Sequence, residues 1–412
     1  MTKIQIGVVG GGAAGFMGAI AAAEKHGHHA SVTIFEKNRA VLSKVRVSGG
    51  GRCNVTNAAA TLPQLCAGYP RGAKFLRPLF EIFNNHDTVA WFEKRGVALK
   101  TEPDGRVFPT TDRSETIINC LLNAAQRAGI EVKTSCAVAQ ICPTESGRFR
   151  LTTADATTHE FDRVLITSGG HPQSTGYDWL AQLGLSVVVP TPSLFTFNVP
   201  ESPFHALSGV AVKLARVRVA GTKLDEQGPL LFTHFGLSGP SVLRTSAWGA
   251  RTLAEKNYAF TALANFTTFK TDQVARQALE EARQDLRYRL KFVHTLPFAD
   301  LPHRLWVLLL EMSHIPDTMR WADLPAKNLN RLAEHLTNCP FLVRGKTTFK
   351  EEFVTCGGID LNEIDPQTLE SKKLKGLFFA GEVLDIDGIT GGYNFQSAWT
   401  TGYVAGQGMV NA

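Results

Sequence analysis

The feature that most constrains this chain is a glycine turn close to its start. The segment "VVGGGAAG" puts Gly10, Gly12 and Gly15 in G-x-G-x-x-G spacing, after apolar Ile4 to Val9 and before alanine-rich Ala13 to His26. In a dinucleotide-binding βαβ unit the first glycine permits the tight turn, the second admits a pyrophosphate, and the third lets helix and strand pack. The order of strand, turn and helix therefore predicts a Rossmann-like α/β domain.

An acidic residue stands where this interpretation requires one. Glu36 ends the second predicted strand, 21 residues after Gly15. A carboxylate at that point accepts hydrogen bonds from an adenosine ribose and disfavours a 2′-phosphate, which argues against NADP in this pocket. The helix that begins at Ala13 and Ala14 offers N–H groups and a positive dipole to the phosphates. NAD and FAD share this fingerprint, so both remain open at this point.

Length, composition and cysteine content limit the class of protein to which the chain can belong. The chain has 412 residues, 44% hydrophobic and 19% charged, which is the composition of a globular protein of two or three domains. Its seven cysteines include no C-x-x-C pair, so we expect neither a disulfide framework nor a metal site. The start lacks export features and no segment is apolar for the roughly 20 residues that span a bilayer, so we expect a cytoplasmic protein without membrane contact.

The charge distribution bears on partners. A formal charge of +6 is small for this length, and basic runs such as "RQDLRYRLK" (Arg283 to Lys291) are typical of solvated faces. We therefore expect a small-molecule substrate and no nucleic-acid partner, while the oligomeric state stays open.

The order of patterns along the chain predicts an insertion. Four prolines fall between residues 190 and 203, and such clusters punctuate structure. We expect the first part of a nucleotide-binding domain over 1–190 and an inserted domain over 191–350, with a β part at about 191–268 and a helical part at about 269–340. The second part of the nucleotide-binding domain would follow over 351–412.

A second glycine-rich stretch, "SGGGRCNVTN" (Ser48 to Asn57), follows the second predicted strand. Its backbone can approach an elongated ligand without Cβ clashes. Arg52 could then face a phosphate, while Asn54, Thr56 and Asn57 offer hydrogen bonds to a polyol. The alternative is a flexible surface loop, and the stretch alone does not decide between them.

Long motifs at both ends extend this interpretation. "GVVGGGAAG…FEKN…SGGGRCNVTN", "GPLLFTHFGLSGPSVL" and "GGIDLNEIDPQTLESKKLKGLFFAGEVLDIDGITGGYNFQSAWTTGYVAG" resemble the bacterial flavoprotein family that contains BaiN, a bile-acid reductase, and aminoacetone oxidase. The resemblance covers nearly the whole chain. It implies an FAD-binding Rossmann-like domain built from both chain ends, interrupted by a β-barrel-like insert and a small helical part.

The resemblance also implies which residues meet the FAD. The glycine turn would hold the pyrophosphate, Glu36 the adenosine ribose, and the loop Thr390 to Asn394 would lie beside the isoalloxazine. The cofactor-binding residues implied in this way are Gly10, Gly12, Ala13, Ala14, Gly15, Glu36, Lys37, Lys44, Ser48, Gly49, Gly50, Gly51, Arg52, Cys53, Asn54, Val138, Ser168, Gly169, Gly381, Glu382, Asp387, Thr390, Gly391, Gly392, Tyr393 and Asn394.

Few residues suggest themselves as acid or base, because flavin performs hydride chemistry itself. His171, after the turn that follows a predicted core strand, is the first candidate, since histidine titrates near neutrality. Tyr393 is the second, as a donor beside the ring or as simple packing. Cys53 is either a redox thiol or a small buried residue, and His234 either lines a cavity or caps a turn.

The sequence thus favours an FAD-dependent oxidoreductase that transfers hydride between flavin N5 and a small organic substrate. NAD(P)H could be the donor or oxygen the acceptor, and no second dinucleotide fingerprint is visible. Two alternatives stay open, namely an NAD-dependent dehydrogenase that uses the single Rossmann site, and a flavin-binding protein of the tRNA-modification type.

Overall fold

The computed structural model describes residues 3–347 and 354–409. Within these ranges the chain forms two compact units, one of residues 3–193 with 354–409 and one of residues 194–347. The expected boundary between residues 350 and 351 lies outside the described residues.

The elements are numbered along the chain. The strands are β1 (Ile4–Val9), β2 (Ala30–Phe35), β3 (Thr56–Asn57), β4 (Leu99–Thr101), β5 (Arg106–Pro109), β6 (Glu131–Lys133), β7 (Val138–Pro143), β8 (Phe149–Thr153), β9 (Thr158–Phe161), β10 (Arg163–Ile166), β11 (Val187–Ser193), β12 (Thr196–Asn198), β13 (Ala211–Val219), β14 (Asp225–Thr233), β15 (Gly236–Ser238), β16 (Ala259–Asn265), β17 (Cys339–Arg344), β18 (Lys346–Thr347), β19 (Val354–Ile359) and β20 (Leu377–Phe379). The helices are α1 (Ala13–His26), α2 (Ser43–Gly51), α3 (Leu62–Cys66), α4 (Ala73–Ile82), α5 (Asn85–Glu93), α6 (Ser114–Arg127), α7 (Asp178–Ala181), α8 (Pro240–Trp248), α9 (Ala250–Glu255), α10 (Asp272–Gln284), α11 (His303–Met312), α12 (Ala326–Asn338) and α13 (Tyr393–Gly408).

The first unit is built on a parallel sheet in the order β20-β10-β1-β2-β6. Its central strands carry β-branched and aromatic residues that are buried toward their carboxyl ends, as strands covered on both faces require. β20 comes from the last part of the chain and pairs with β10, whose other neighbour is β1. Both chain ends therefore contribute to one sheet.

Helices α1 and α13 join the two ends a second time. A Cβ at Gly402 would lie 2.5 Å from the carbonyl oxygen of Ala14, and one at Gly406 would lie 2.4 Å from that of Gly18. The missing side chains let the two backbones approach closely, and the buried faces of both helices belong to one core.

Smaller sheets complete this unit. They have the orders β3-β5-β4, β7-β8-β9 and β11-β19, and each is antiparallel. Strand β11 brings the chain to Ser193, at the end of the first unit.

The second unit combines a β part and a helical part around its own core. Its strands form one antiparallel sheet in the order β17-β16-β13-β14-β15-β12-β18. Helices α10 to α12 lie between β16 and β17 in sequence, and α12 buries leucines at helical spacing. The expected α/β architecture, a Rossmann-like domain from both chain ends with an inserted β part and helical part, is confirmed.

The stretch Ser48 to Asn57 differs from the expected loop. Its start lies in α2, which is interrupted because Ser48 is extended and Gly49 and Gly50 have positive φ angles. Its end forms β3, where Thr56 pairs with Val107 of β5. The pairing partner lies some fifty residues further along the chain, so the local sequence did not reveal the strand.

Candidate functional site

Several of the predicted cofactor-binding residues lie at the carboxyl edge of the parallel sheet. Val9 pairs with both Phe35 and Ile166, and Ile166 pairs with Phe379, so these four strand ends are in register. The residues that follow them are Gly10, Glu36, Thr167 and, after Ala380, Gly381. In open parallel sheets, ligands bind outside this edge.

The glycines of the turn have different surroundings. A Cβ at Gly10 would lie 2.3 Å from the carbonyl oxygen of Thr167, and one at Gly15 would lie 2.0 Å from that of Gly10. These two glycines therefore permit close packing within the protein. A Cβ at Gly12 would meet nothing within 4 Å. Gly12 precedes α1, so Ala13 and Ala14 present the first N–H groups of that helix beside this open space.

Glu36 is 9% exposed and organises the turn from the side. One carboxylate oxygen accepts from the backbone N–H of Gly11 at 2.9 Å, and the other accepts from the backbone and side-chain nitrogens of Asn38, each at 2.8 Å. The carboxylate keeps lone pairs for further donors. The backbone oxygen of Glu36 accepts from Cys136 N at 2.8 Å, and this bond brings Val138, at the start of β7, close to Glu36. Lys37, which follows Glu36, is exposed.

The guanidinium of Arg52 is paired with carboxylates of the protein. Its Nη1 donates to Glu102 Oε1 at 2.7 Å and lies 3.4 Å from Asp112 Oδ1, and its guanidinium stacks 3.9 Å from the centre of the Phe108 ring. The bond to Glu102 raises the pKa of Arg52. Two carboxylates balance the charge of Arg52, and its contact with a phosphate stays a prediction.

Cys53 is fully buried with a φ of 60°. Burial raises the pKa of its thiol to about 12. Since the thiolate is the reactive form, this raised pKa favours the interpretation of Cys53 as a small buried residue over that of a redox thiol. The neighbouring glycines differ from it, because Cβ atoms at Gly50 and Gly51 would meet nothing within 4 Å. Gly49 packs against Phe108, and the hydroxyl of Ser48 donates to Val45 O at 3.1 Å.

The end of the same stretch binds the last segment of the chain. The amide of Asn54 lies 3.0 Å from Thr56 O and 3.0 Å from Gly392 N, and the orientation that satisfies both donates to the first and accepts from the second. Asn57 Nδ2 donates to Gly391 O at 3.1 Å. The buried hydroxyl of Thr56 donates to Gln396 Oε1 at 2.5 Å. Segments more than 330 residues apart in sequence thus form one wall.

Glu382 forms a second link between the chain ends. Its Oε2 lies 2.6 Å from Lys44 Nζ, and its Oε1 accepts from Thr355 N at 2.9 Å. The hydroxyl of Thr355 is buried and has no hydrogen-bond partner among the described residues. The preceding Gly381 donates its N–H to Thr401 of α13 at 2.9 Å.

The turn after β10 packs against this acid. Thr167 donates its hydroxyl to Gly10 O at 2.8 Å, and Ser168 and Gly169 follow it at the surface. A Cβ at Gly170 would lie 2.7 Å from Glu382 Oε1, so a larger residue there would require the Glu382 side chain to move.

His171 is held in a compact turn of its own. Its backbone N–H donates to the hydroxyl of Tyr177 at 3.0 Å, and its Nδ1 lies 2.9 Å from Gln173 O. Its ring rests on Gly176, where a Cβ would collide with it. Burial raises the pKa of Tyr177 to about 12. Nδ1 also lies 3.3 Å from Gln173 N, so both backbone polar groups of Gln173 lie against the same ring nitrogen.

The loop before α13 is closed by its own side chains. Asn394 accepts from Gly388 N at 2.8 Å and donates to Gly388 O at 2.9 Å, so Thr390 to Gly392 lie within a clamped turn. The Tyr393 ring packs against Gly68 and lies edge-on to Tyr69, 5.7 Å between ring centres. This contact supports the packing alternative for Tyr393.

Asp387 has a different environment from the one expected of a cofactor ligand. Its fully buried carboxylate is paired with Arg71 and accepts from the hydroxyl of Ser193 at 2.7 Å. Burial raises the pKa of Asp387, while the Arg71 guanidinium and the Ser193 hydroxyl favour the ionised form. Asp387 thus holds the loop through Arg71 and Ser193, and its place near the cofactor stays a prediction.

Sequence reasoning missed the residues that hold this loop, among them Tyr69, Arg71, Ser193 and Gln396. The segment "GYPRG" between α3 and α4 carries two of them. Its proline and glycines indicate a turn, but they give no sign of what the turn contacts. His234, the other open candidate, lies in the second unit next to Phe235.

Residues 3–347 and 354–409 hold no group of three or more His, Cys, Asp or Glu side chains placed to bind a metal ion. In the same ranges no helix combines the length and the hydropathy needed to cross a bilayer.

Comparisons with known proteins agree with this geometry. The family described as HI0933-like protein Rossmann domain matches residues 4–408. The chain is 28% identical to a 3-dehydro-bile acid delta(4,6)-reductase of Clostridium scindens, over 98% of each chain. It is 29% identical to a ribosomal RNA dihydrouridine synthase of Escherichia coli K12, over 100% of this chain and 99% of that one.

A solved structure shares the fold. The 3-ketosteroid-Δ4-(5α)-dehydrogenase of Rhodococcus jostii, in complex with 4-androstene-3,17-dione, superimposes with a TM-score of 0.52 and 13% sequence identity. The match covers 99% of this chain and 97% of the dehydrogenase. At this identity the likeness concerns architecture alone.

Proposed function

The chain is a member of the HI0933-like family of FAD-dependent oxidoreductases, and on that premise we propose that it reduces a C=C bond conjugated with a carbonyl group. The names of its relatives support this choice. A delta(4,6)-reductase of a 3-dehydro-bile acid and a dihydrouridine synthase both saturate a C=C bond that a carbonyl makes electron-poor. The substrates differ greatly in size, but the reacting group is the same.

The site fits FAD on observations of its own. The open space at Gly12, beside the start of α1, suits a pyrophosphate. The hydroxyl of Thr355, next to Glu382, has no hydrogen-bond partner within residues 3–347 and 354–409, and it suits a further polar group. When bound, FAD supplies the two-electron carrier of such a reduction, in which hydride from a nicotinamide donor ends on the carbon β to the carbonyl and the α carbon takes a proton.

We assign the binding roles by position. The N–H groups of Ala13 and Ala14 bind the pyrophosphate, and the Glu36 carboxylate accepts from the adenosine ribose. Gly391 and Gly392 precede the 16-residue helix α13, whose positive end stabilises negative charge on a reduced ring. Glu382, paired with Lys44, links the segment after β20 to helix α2.

His171 is the residue we propose for proton delivery. The contacts of Nδ1 with the backbone of Gln173 hold the ring in place, and imidazole is the side chain most often used for proton transfer in catalysis. Gly170 connects it directly to the contact with Glu382. Replacing His171 with Gln should lower the rate of turnover while FAD affinity is retained.

The single observation that carries the proposal is the wall formed by Asn54, Thr56 and Asn57 with Gly391, Gly392 and Gln396. The test is an absorbance spectrum of the purified protein, then anaerobic titration with NADH and NADPH, then turnover of 2-cyclohexenone and a 3-keto-4-ene steroid. Bleaching of the flavin bands followed by saturation of the alkene supports the proposal. Colourless protein that binds NADH and retains no FAD would instead favour an NAD-dependent dehydrogenase.

A second candidate is reduction of uridine in RNA. The supporting observation is the full-length similarity to the Escherichia coli ribosomal RNA dihydrouridine synthase, so the expectation of no nucleic-acid partner does not stand as an exclusion. An unmodified ribosomal RNA transcript in the same assay separates the two. Dihydrouridine formation that weakens steeply with salt, without turnover of the small enones, favours RNA.

A further inference from the structure

A buried ion pair lies behind the loop that precedes α13. Arg71 Nε donates to Asp387 Oδ1 at 2.5 Å, and the Arg71 Nη2 donates to the other oxygen of the same carboxylate. The Arg71 side chain is 12% exposed and that of Asp387 is 0% exposed. Ser193, also fully buried, donates to Asp387 Oδ2 at 2.7 Å. The pair therefore joins three separate segments of the first unit.

The segment Gly68 to Gly72 holds the same loop at several more points. Ile389 N donates to Gly68 O at 2.8 Å, and the Tyr69 hydroxyl donates to Tyr393 O at 2.7 Å. A Cβ at Gly72 would lie 2.6 Å from the Ile386 side chain. The backbones of Arg71 and Asp387 also form an isolated antiparallel bridge. Among these contacts, only the Arg71–Asp387 contact pairs opposite charges.

The charge of Asp387 requires such a partner. Burying an ionised carboxylate away from water costs much free energy unless a cation and hydrogen bonds offset that cost. The guanidinium meets both carboxylate oxygens in a planar fork, which fixes orientation as well as charge. Removal of the guanidinium would leave a buried anion one residue before Gly388, where the Asn394 clamp begins.

We infer that Arg71 is a positioning residue for the flavin, acting through Asp387 to fix the loop Asp387 to Asn394. The inference rests on the proposed function, which puts the flavin ring beside Gly391 and Gly392. An unpaired Asp387 would shift this loop and add negative charge near the ring, which disfavours the reduced, anionic flavin. Arg71 therefore affects flavin affinity and flavin potential without touching the substrate.

The test compares four forms of the full-length protein with the unsubstituted one. Arg71→Met removes the charge, Arg71→Lys keeps the charge without the fork, and Arg71→Met with Asp387→Asn removes both charges. Arg148→Met is the control, because Arg148 pairs with Glu160 and Asp162 at the surface of the β7-β8-β9 sheet. The measurements are the FAD dissociation constant, the flavin reduction potential and the thermal transition.

We expect Arg71→Met to raise the FAD dissociation constant at least about tenfold and to make the potential more negative. The double variant should recover most of the FAD affinity and most of the reduction potential of the unsubstituted protein. Arg71→Lys should keep the unsubstituted reduction potential and have an intermediate FAD affinity. Arg148→Met should match the unsubstituted protein. If Arg71→Met does not fold, Arg71→Lys and the double variant carry the test.

Two results overturn the inference and are distinguishable. If the unsubstituted protein binds FAD and the Arg71 variants bind it equally well with an unchanged potential, the inference is wrong and the proposed function stands. If the unsubstituted protein binds no FAD, the proposed function fails and the inference fails with it.

Discussion

At the scale of single residues, Gly12 and Gly15 have the same letter in the motif and opposite surroundings in the structure. Gly15 is in contact with the backbone of Gly10, whereas Gly12 faces open space with φ and ψ of −91° and −169°, a conformation that any residue adopts. The protein itself therefore needs the glycine at position 15, and only a ligand needs the one at position 12.

This difference makes a prediction. Gly12→Val should change the free energy of unfolding by no more than about 0.5 kcal/mol and weaken FAD binding by at least about tenfold, because the valine occupies ligand space. Gly15→Val should fail to fold. Thermal unfolding and FAD titration check both, and undiminished FAD affinity in Gly12→Val would disprove the assigned phosphate site.

Cys53 gives a prediction on pH. With a thiol pKa of about 12, only on the order of one molecule in ten thousand carries the thiolate at pH 8. The thiolate becomes abundant only as the pH rises toward that value. Iodoacetamide at pH 8 should therefore leave Cys53 unmodified in native protein and alkylate it in urea. Half-buried Cys142 is the internal comparison, and equal native rates at both cysteines would contradict the buried thiol.

How well the contacts of a residue can be predicted depends on how far away its partners lie in the sequence. The glycine turn and Glu36 belong to one βαβ unit, whose geometry is set by neighbouring residues, so their spacing was sufficient to place them. The partners of Arg52 lie 50 and 60 residues away, and those of Asp387 lie 194 and 316 residues away. Only the fold brings these partners together, so the contacts of Arg52 and Asp387 could not be predicted from the sequence.

At the scale of elements, the loop before α13 depends on one side chain for its closure. Asn394 makes two hydrogen bonds to the backbone of Gly388, and α13 begins directly before it at Tyr393. The helix end and the loop are therefore fixed relative to each other by the same residue.

We expect Asn394→Ala to lower the free energy of unfolding by about 1–2 kcal/mol and to weaken FAD binding several-fold. Asn328→Ala is a matched control, because Asn328 also makes two hydrogen bonds to backbone, donating to the oxygens of Ser313 and His314 in the second unit. It should cost similar stability and leave FAD affinity unchanged. Equal FAD affinity in both variants would argue against the loop as a flavin contact.

The elements were predictable where their pattern is local. The apolar run of β1 and the alanines of α1 were sufficient for a strand and a helix. Strand β3 was not predictable, because it has two residues and exists through its pairing with β5. The glycines of "SGGG" indicated an unusual backbone, but they concealed the helix α2 that they interrupt.

At the scale of the whole molecule, the contact between α1 and α13 holds the two ends of the chain together. Gly402 and Gly406 let α13 approach the backbone of α1 near Ala14 and Gly18. The periodicity of either helix does not show this pairing; the long C-terminal motif indicated it only through resemblance.

We predict that Gly406→Leu lowers the free energy of unfolding by at least about 2 kcal/mol, because the side chain would collide with the carbonyl of Gly18. FAD retention should fall with it, since both ends of the chain supply the wall. The adjacent Gln407→Ala, which loses one long hydrogen bond to Ala21 O, is the control and should retain FAD. Chemical denaturation followed by fluorescence measures the stability. A fully stable Gly406→Leu would contradict the close packing of α1 and α13.

The central claim is that both chain ends form one site for a single FAD. The most direct measurement is the amount of FAD released on denaturation of protein that was reconstituted with excess FAD and freed of unbound cofactor. The account predicts an equimolar amount of non-covalent FAD per chain, a smaller amount in Gly12→Val and in Asn394→Ala, and the full amount in Asn328→Ala. Protein that releases no FAD, or that retains it in full in both site variants, would contradict the claim.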